Sequence, residues 1–172
     1  MAANGFPDSA EFEVLMGLPI AELEALAGSG DIQAANILDY RRLRRDPASQ
    51  DAVRSLFDRA VSGELFPLQL LAWHYLQQPD RESQVVASAY HRVLALRGYY
   101  NGLYANTLIA SGFTDGQRFA SEVYSLVIYN DLMRARIERF GTPFPVNPRP
   151  GMDQLFASAQ AMIHETEPST SP

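Results

Sequence analysis

The sequence predicts an all-α fold, in the form of a short right-handed α-solenoid of antiparallel helix pairs with a C-terminal capping helix. Three observations predict it. Gly30, Gly63 and Gly98 each follow an alanine three positions back (Ala27, Ala60 and Ala95), and Gly63 and Gly98 share a second alanine eleven back, Ala52 and Ala87. The glycines stand 33 and 35 residues apart, the period of stacked helix pairs, each of which buries its apolar face only against the next. Strand-like alternation of apolar and polar residues is absent along the sequence, whereas helical spacing recurs throughout.

Each element follows from local signals. The residues up to Pro7 read as frayed. Ser9 is placed as the cap of a short helix carrying Phe12, Leu15 and Met16, which breaks at Gly17. Pro19 suits the first turn of a second helix, where a missing N–H costs nothing. That helix is expected to bury Ile20, Leu23, Leu26 and Ala27 and to end at Gly28-Ser29-Gly30. The next runs from about Asp31 to Arg45 on Ala34, Ile37, Leu38 and Tyr40, and Asp46-Pro47 terminates it. Ser49 then caps a helix whose Val53, Leu56, Phe57 and Ala60 follow helical spacing up to Gly63.

Leu65 to Gln77 forms the first helix of the following pair, with Pro67 in its first turn and Leu68, Leu71 and Tyr75 inside. Pro79-Asp80 turns the chain into a longer helix, from about Arg81 to Arg97, presenting Val86, Ala87, Tyr90, Val93 and Leu94. A helix to about Ser111, a Gly112–Gly116 loop and a long helix to about Arg139 follow, the last holding Phe119, Val123, Leu126, Val127 and Met133. The predicted organisation is a helical-repeat domain over 1–140 and a proline-rich linker or strap over 141–151. A C-terminal helix over 152–164, with Met152, Leu155, Phe156, Ala159 and Ile163 on one face, and a disordered tail over 165–172 complete it.

Composition narrows the function classes. Of 172 residues, 47% are hydrophobic and 20% charged, values of a globular chain with a sizeable core. The net charge of −6 argues against a nucleic-acid partner, which needs clustered cations. All fourteen basic residues are arginine, a trait of coding bias with no functional weight. The absence of cysteine excludes disulfides, thiolate zinc sites and thiol nucleophiles. No run approaches the roughly 18 apolar residues of a membrane span, so no membrane partner is expected. No leader pattern opens the sequence; cytoplasmic location is the default, and a mature exported domain would read the same.

Aligned on their glycines, these residues resemble the Sel-one-like repeats, relatives of the tetratricopeptide repeats. Ala52, Leu56, Ala60 and Gly63 fit the family's second helix, as do Ala87, Tyr90, Ala95 and Gly98. Past the glycine, Ala34 and Leu38 match after Gly30, and Leu71, Ala72 and Tyr75 match after Gly63. The small residues let paired helices approach and the large ones fill the gaps between pairs. Departures are Asp39 for a small residue, Pro67 and Gly102 for alanine, and Asn106 for leucine, and the glycine-rich turn between the two helices is missing. The resemblance spans about residues 18 to 130. It implies a non-catalytic module that binds a protein or peptide in a concave groove, as an adaptor, regulator or inhibitor; a homo-oligomer is compatible with it. Small stand-alone members of such families point to a secreted or toxic bacterial protein as partner.

Residues three, six, ten and thirteen or fourteen past each glycine share one face of the following helix. The first unit places Gln33, Asn36, Tyr40, Leu43 and Arg44 there, the second Phe66, Gln69, Trp73, Leu76 and Gln77, and the third Asn101, Tyr104, Leu108 and Ser111. Aromatic rings supply contact area and amides pair with a bound backbone. The candidate partner-binding residues are therefore Asn36, Tyr40, Arg44, Gln69, Trp73, Gln77, Asn101 and Tyr104. The competing reading has Tyr40 and Trp73 packed against neighbouring helices. Arg41-Arg42-Leu43-Arg44-Arg45 complements a helix C-terminus or docks an acidic partner. His74 and His91 lack a second ligand at helical spacing, so no metal or cofactor is assigned. Two alternatives stay open: an enzyme with a polar cleft near His74, His91 and Tyr90, and a structural subunit whose groove is filled by its own Pro143–Pro150 segment and last helix.

Overall fold

The computed structural model describes residues 5–99 and 101–144. Among these, eight α-helices and no strand occur: α1 (Ser9–Gly17), α2 (Ile20–Gly28), α3 (Ile32–Arg45), α4 (Gln50–Ser62), α5 (Phe66–Leu76), α6 (Arg81–Leu96), α7 (Asn101–Ala110) and α8 (Asp115–Phe140). The expected helix over 152–164, the tail over 165–172 and most of the strap lie outside the described residues.

The three glycines make the same turn. Gly30, Gly63 and Gly98 have φ of +97°, +120° and +90°, a region that a side chain disfavours and glycine enters freely. In each, the glycine N–H donates to the alanine carbonyl three residues back: Gly30 to Ala27, Gly63 to Ala60 and Gly98 to Ala95. The following N–H then reaches five residues back, Asp31 to Leu26, Glu64 to Arg59 and Tyr99 to Leu94. This double closure is the Schellman motif, which satisfies the last carbonyls of a helix while reversing the chain.

N-terminal caps set the other ends. Asp31 and Asp80 accept from the backbone N–H of Ala34 and Ser83, and Thr114 with Gln117 forms a capping box on α8. Asp8 rather than Ser9 caps α1, its carboxylate accepting from Glu11 N–H at 2.8 Å, because an ionised oxygen is the stronger acceptor. Ser49 holds the cap position of α4 without a side-chain bond.

α5 is the centre. It packs against α3, α4 and α6, and residues Phe66 to Ala72 are all buried, as expected of a helix that is apolar on every side. α2 packs on α3, α3 on α4, and α6 on α7 and α8; α8 crosses both α6 and α4. Buried Ala34, Ala52, Ala60, Ala72 and Ala87 keep the backbones close.

Two expectations about faces fail. Leu26 is exposed, because its carbonyl, not its side chain, serves the turn at Gly30. In α8, Phe119, Val123, Leu126 and Val127 face solvent, Phe119 at 68%, while Ser121 and Ser125 are buried. The Ser121 hydroxyl donates to Ser88 Oγ at 2.9 Å, and Ser88 in turn donates to Asn106 Oδ1 at 2.5 Å. This polar chain ties α6, α7 and α8 where large side chains would hold them apart.

Gly102 makes the α6–α7 contact possible. A Cβ there would lie 2.5 Å from the His91 carbonyl oxygen and 2.9 Å from Leu94 Cβ. By helix propensity alone Gly102→Ala would stabilise by about 1 kcal/mol, but overpacking of a fixed backbone contact costs about 1–3 kcal/mol. The clash is the larger effect, so Gly102→Ala is expected to lower the thermal midpoint; a raised midpoint would refute the close approach.

Candidate functional site

Helices α3 and α5 carry a row of aromatic rings. Phe66 and Trp73 are seven residues apart and so lie on one side of α5, with ring centroids 6.4 Å apart in edge-on contact. Tyr40 of α3 joins them, 6.2 Å from Trp73. Its hydroxyl accepts from Gln77 Nε2 at 2.8 Å, linking the C-terminal halves of the two helices.

The N-terminal segment lies on this row. Phe12 meets Phe66 at 6.3 Å and Trp73 at 5.9 Å, both edge-on. Phe6 meets Phe66 at 5.5 Å and stacks on Tyr99 at 4.4 Å. Gln33 Nε2 of α3 donates to the Gly5 carbonyl at 2.7 Å, an amide holding a backbone group. An open pocket of about 360 Å³ lies here, lined by Phe6, Pro7, Asp8, Ser9, Phe12 and Glu13 together with Phe66 and Trp73.

The candidate binding residues separate into three groups. Tyr40, Trp73 and Gln77 come together, with Tyr40 buried, Trp73 half-buried and Gln77 exposed. Gln69 is buried in α5. Asn36 is fully buried in a network within the protein: its Nδ2 donates to Glu64 Oε2 at 3.0 Å, and its Oδ1 accepts from Arg59 Nε at 2.5 Å. Arg59 also donates to Asp39 Oδ2 at 2.5 Å. The departure of Asp39 from the repeat pattern thus supplies the buried counter-charge for Arg59. Burial raises the pKa of Glu64, opposed by the Asn36 hydrogen bond and the Arg59 charge. Arg44 is exposed at the end of α3. Asn101 and Tyr104 stand exposed on α7, Tyr104 at 70% beside exposed Leu103 and Leu108.

The arginine run is shared between inside and outside. Arg41 donates to the Leu18 carbonyl, fastening the α1–α2 turn, and Arg42 bridges Asp39 at 2.9 Å and Glu24 at 3.5 Å. Arg44 and Arg45 face solvent.

His74 and His91 are both buried. Desolvation lowers the pKa of each, that of His91 to about 4, so both imidazoles are neutral near pH 7. Among the described residues, His91 Nδ1 has no hydrogen-bond partner, and no three His, Cys, Asp or Glu side chains gather as metal ligands. Tyr90 is buried and stacked on Tyr75 at 5.7 Å, and burial holds its pKa high, with the Tyr75 charge adding to the effect.

No family model, curated protein or solved structure matches the chain. The site is described by its own chemistry.

Sequence reading missed three aromatics that matter. Phe6 falls in a stretch read as frayed, and the Phe12, Leu15 and Met16 stripe marks a short helix without announcing what it packs on. Phe144, in the strap, is buried under Arg97, whose guanidinium carbon lies 3.4 Å from the ring centroid, with Arg136 at 4.8 Å. Burial, with Arg136 nearby, lowers the Arg97 pKa to about 10.

Two outcomes follow from the polar groups. Arg59→Met leaves the Asp39 carboxylate, only 6% exposed, with the half-exposed Arg42 as its remaining cation. Breaking a buried pair costs about 3–5 kcal/mol; with Arg59 itself 20% exposed and Arg42 still in place, a smaller loss of about 2 kcal/mol in urea unfolding at pH 7 is expected, partly recovered by adding Asp39→Ala. For His91, the folded pKa lies below the unfolded value, so the unfolded state binds more protons between about pH 4 and 6.5. That contribution to stability is intact above pH 6.5 and lost as pH falls through this window. His91→Gln should therefore show a smaller drop in urea midpoint between pH 7 and pH 5 than the unaltered chain; equal drops would contradict the buried neutral imidazole.

Proposed function

We propose that this chain is a non-catalytic interaction module, a short right-handed solenoid of Sel-one-like helix pairs that binds a partner protein or peptide in the groove between α3 and α5. The identical turns at Gly30, Gly63 and Gly98 support the repeat reading. They make α3 and α5 equivalent first helices, in mutual contact. The observation that carries the functional reading is how the groove holds the chain's own N-terminal segment. Phe66 and Trp73 take aromatic side chains, and Gln33 takes a backbone carbonyl. Rings for side chains and amides for backbone are what a peptide-binding surface provides. Gln77 lies exposed beside the row, so the same chemistry extends along it.

The enzymatic alternative at His74 and His91 gains no support from two buried imidazoles kept neutral by desolvation. The self-filled groove concerns chain beyond Phe144, outside the described residues; Phe144 itself sits on Arg97 and Arg136.

The test is retention of a partner from extracts of the native organism on immobilised protein. Trp73→Ala should reduce retention at least about tenfold, the scale of a central aromatic contact, with far-UV circular dichroism unchanged. Gln77→Ala should reduce it less, and Tyr104→Ala on α7 should report whether the surface extends there. Undiminished retention by a folded Trp73→Ala chain would sink the groove reading. Loss of an assayable activity in a folded His74→Ala/His91→Ala chain would favour the enzyme.

A further inference from the structure

We propose that residues 5–17 are a tethered, exchangeable stand-in for the partner, and that the groove's external ligand is a peptide segment bearing two aromatic side chains in the arrangement of Phe6 and Phe12. The inference rests on the groove reading above and gives its ligand a chemistry.

The contacts of the segment are those of a ligand. Its two phenylalanines pack on Phe66, Trp73 and Tyr99, and its Gly5 carbonyl takes the Gln33 amide. Beyond these, the segment is held by Leu15, which is buried in the core, and Met16, which packs against it. The rest of α1 is open: Ser9, Ala10, Glu11, Glu13 and Val14 are exposed, Val14 at 63%. An open pocket of about 360 Å³ adjoins the segment, lined by Phe6, Asp8, Phe12, Glu13, Phe66 and Trp73, so half-buried Trp73 is reachable from solvent beside it.

The groove walls do not need the segment. Tyr40 and Gln77 link α3 to α5, the Arg59 network links α3 to α4, and α5 is buried against three helices. Gly17 and Leu18 end α1 before Pro19 starts α2, so the segment can leave from one point. An incoming peptide with two aromatics would take over the Phe6 and Phe12 positions, and the tether would lower its apparent affinity by the fraction of time the groove is occupied.

Trp73 is the single tryptophan of the chain, so its emission reports the groove directly. The probe is a synthetic peptide of residues 5–17, titrated into the full-length chain and into full-length Phe6→Ala/Phe12→Ala. The double variant is expected to bind saturably and at least about tenfold more tightly than the unaltered chain. The same peptide with both phenylalanines changed to alanine should bind neither. Equal binding to both chains, or a folded double variant that ignores the peptide, overturns the inference; the groove reading itself falls only with the Trp73→Ala retention experiment. Should the double variant lose helicity beyond α1, the segment is core and the inference fails. Hydrogen exchange on the unaltered chain provides the independent measurement: α1 amides should exchange at least about 100-fold faster than those of α5, and equal protection overturns the inference. An unaltered chain that is a dimer, dissociating in the double variant, would assign the segment to a second copy and overturn the tethered arrangement.

Discussion

The left-handed turn at Gly30, Gly63 and Gly98 is the constraint on which the rest depends. A positive φ at these points lets two successive N–H groups close back over the helix end, so the last carbonyls are satisfied and the chain leaves in a fixed direction. Because the turn is the same each time, the helix after each glycine starts from an equivalent position. That places Gln33 and Tyr40 of α3 in register with Phe66 and Trp73 of α5, and so assembles the aromatic row. A side chain at any of the three would strain the backbone and misdirect everything after it.

Between the turns, apolar and polar contacts divide the work. α5 is buried from Phe66 to Ala72 and supplies apolar packing around Leu68, Leu70 and Leu71. The helix pairs around it are located by buried polar links of fixed geometry: Arg59 with Asp39 and Asn36 between α3 and α4, and Ser88 with Asn106 and Ser121 among α6, α7 and α8. Hydrophobic burial is non-directional and tolerates sliding, whereas a satisfied buried hydrogen bond does not. At the far end, Arg136 donates to the Val61 carbonyl and, with Arg97, encloses Phe144. This latch fastens the C-terminal end of α8 to α4.

The functional reading grows from the same division. The rings of α3 and α5 are held from behind by the Arg59 network and the Tyr40–Gln77 bond. The segment in front has two aromatic anchors, one backbone hydrogen bond and Leu15 in the core. In the proposed peptide-binding reading, this arrangement has residues 5–17 as its first occupant.

The helices and their ends were legible in the amino-acid order because the causes are local. Glycine three past alanine and proline beside a turn each act within five residues, and apolar spacing marks the helices between them. The side-chain caps were not legible: Ser9 is expected where Asp8 caps α1, and Ser49 makes no side-chain bond. The repeat alignment also placed Gln33, Tyr40, Phe66 and Trp73 on one face. What only the tertiary structure decided is which faces meet. Asn36 shares that face by spacing, yet it lies inside because Arg59 and Glu64, more than twenty residues away, claim its amide. Phe119, Val123 and Leu126 look like a core stripe, yet α8 turns Ser121 and Ser125 inward, and Ser121 joins the Ser88–Asn106 chain. Phe6 carries no periodic signature, and the spacing of Phe12 with Leu15 and Met16 marks a helix without saying which rings it will meet. The local code specifies where the chain turns; the sum of long-range contacts chooses what each turn brings together.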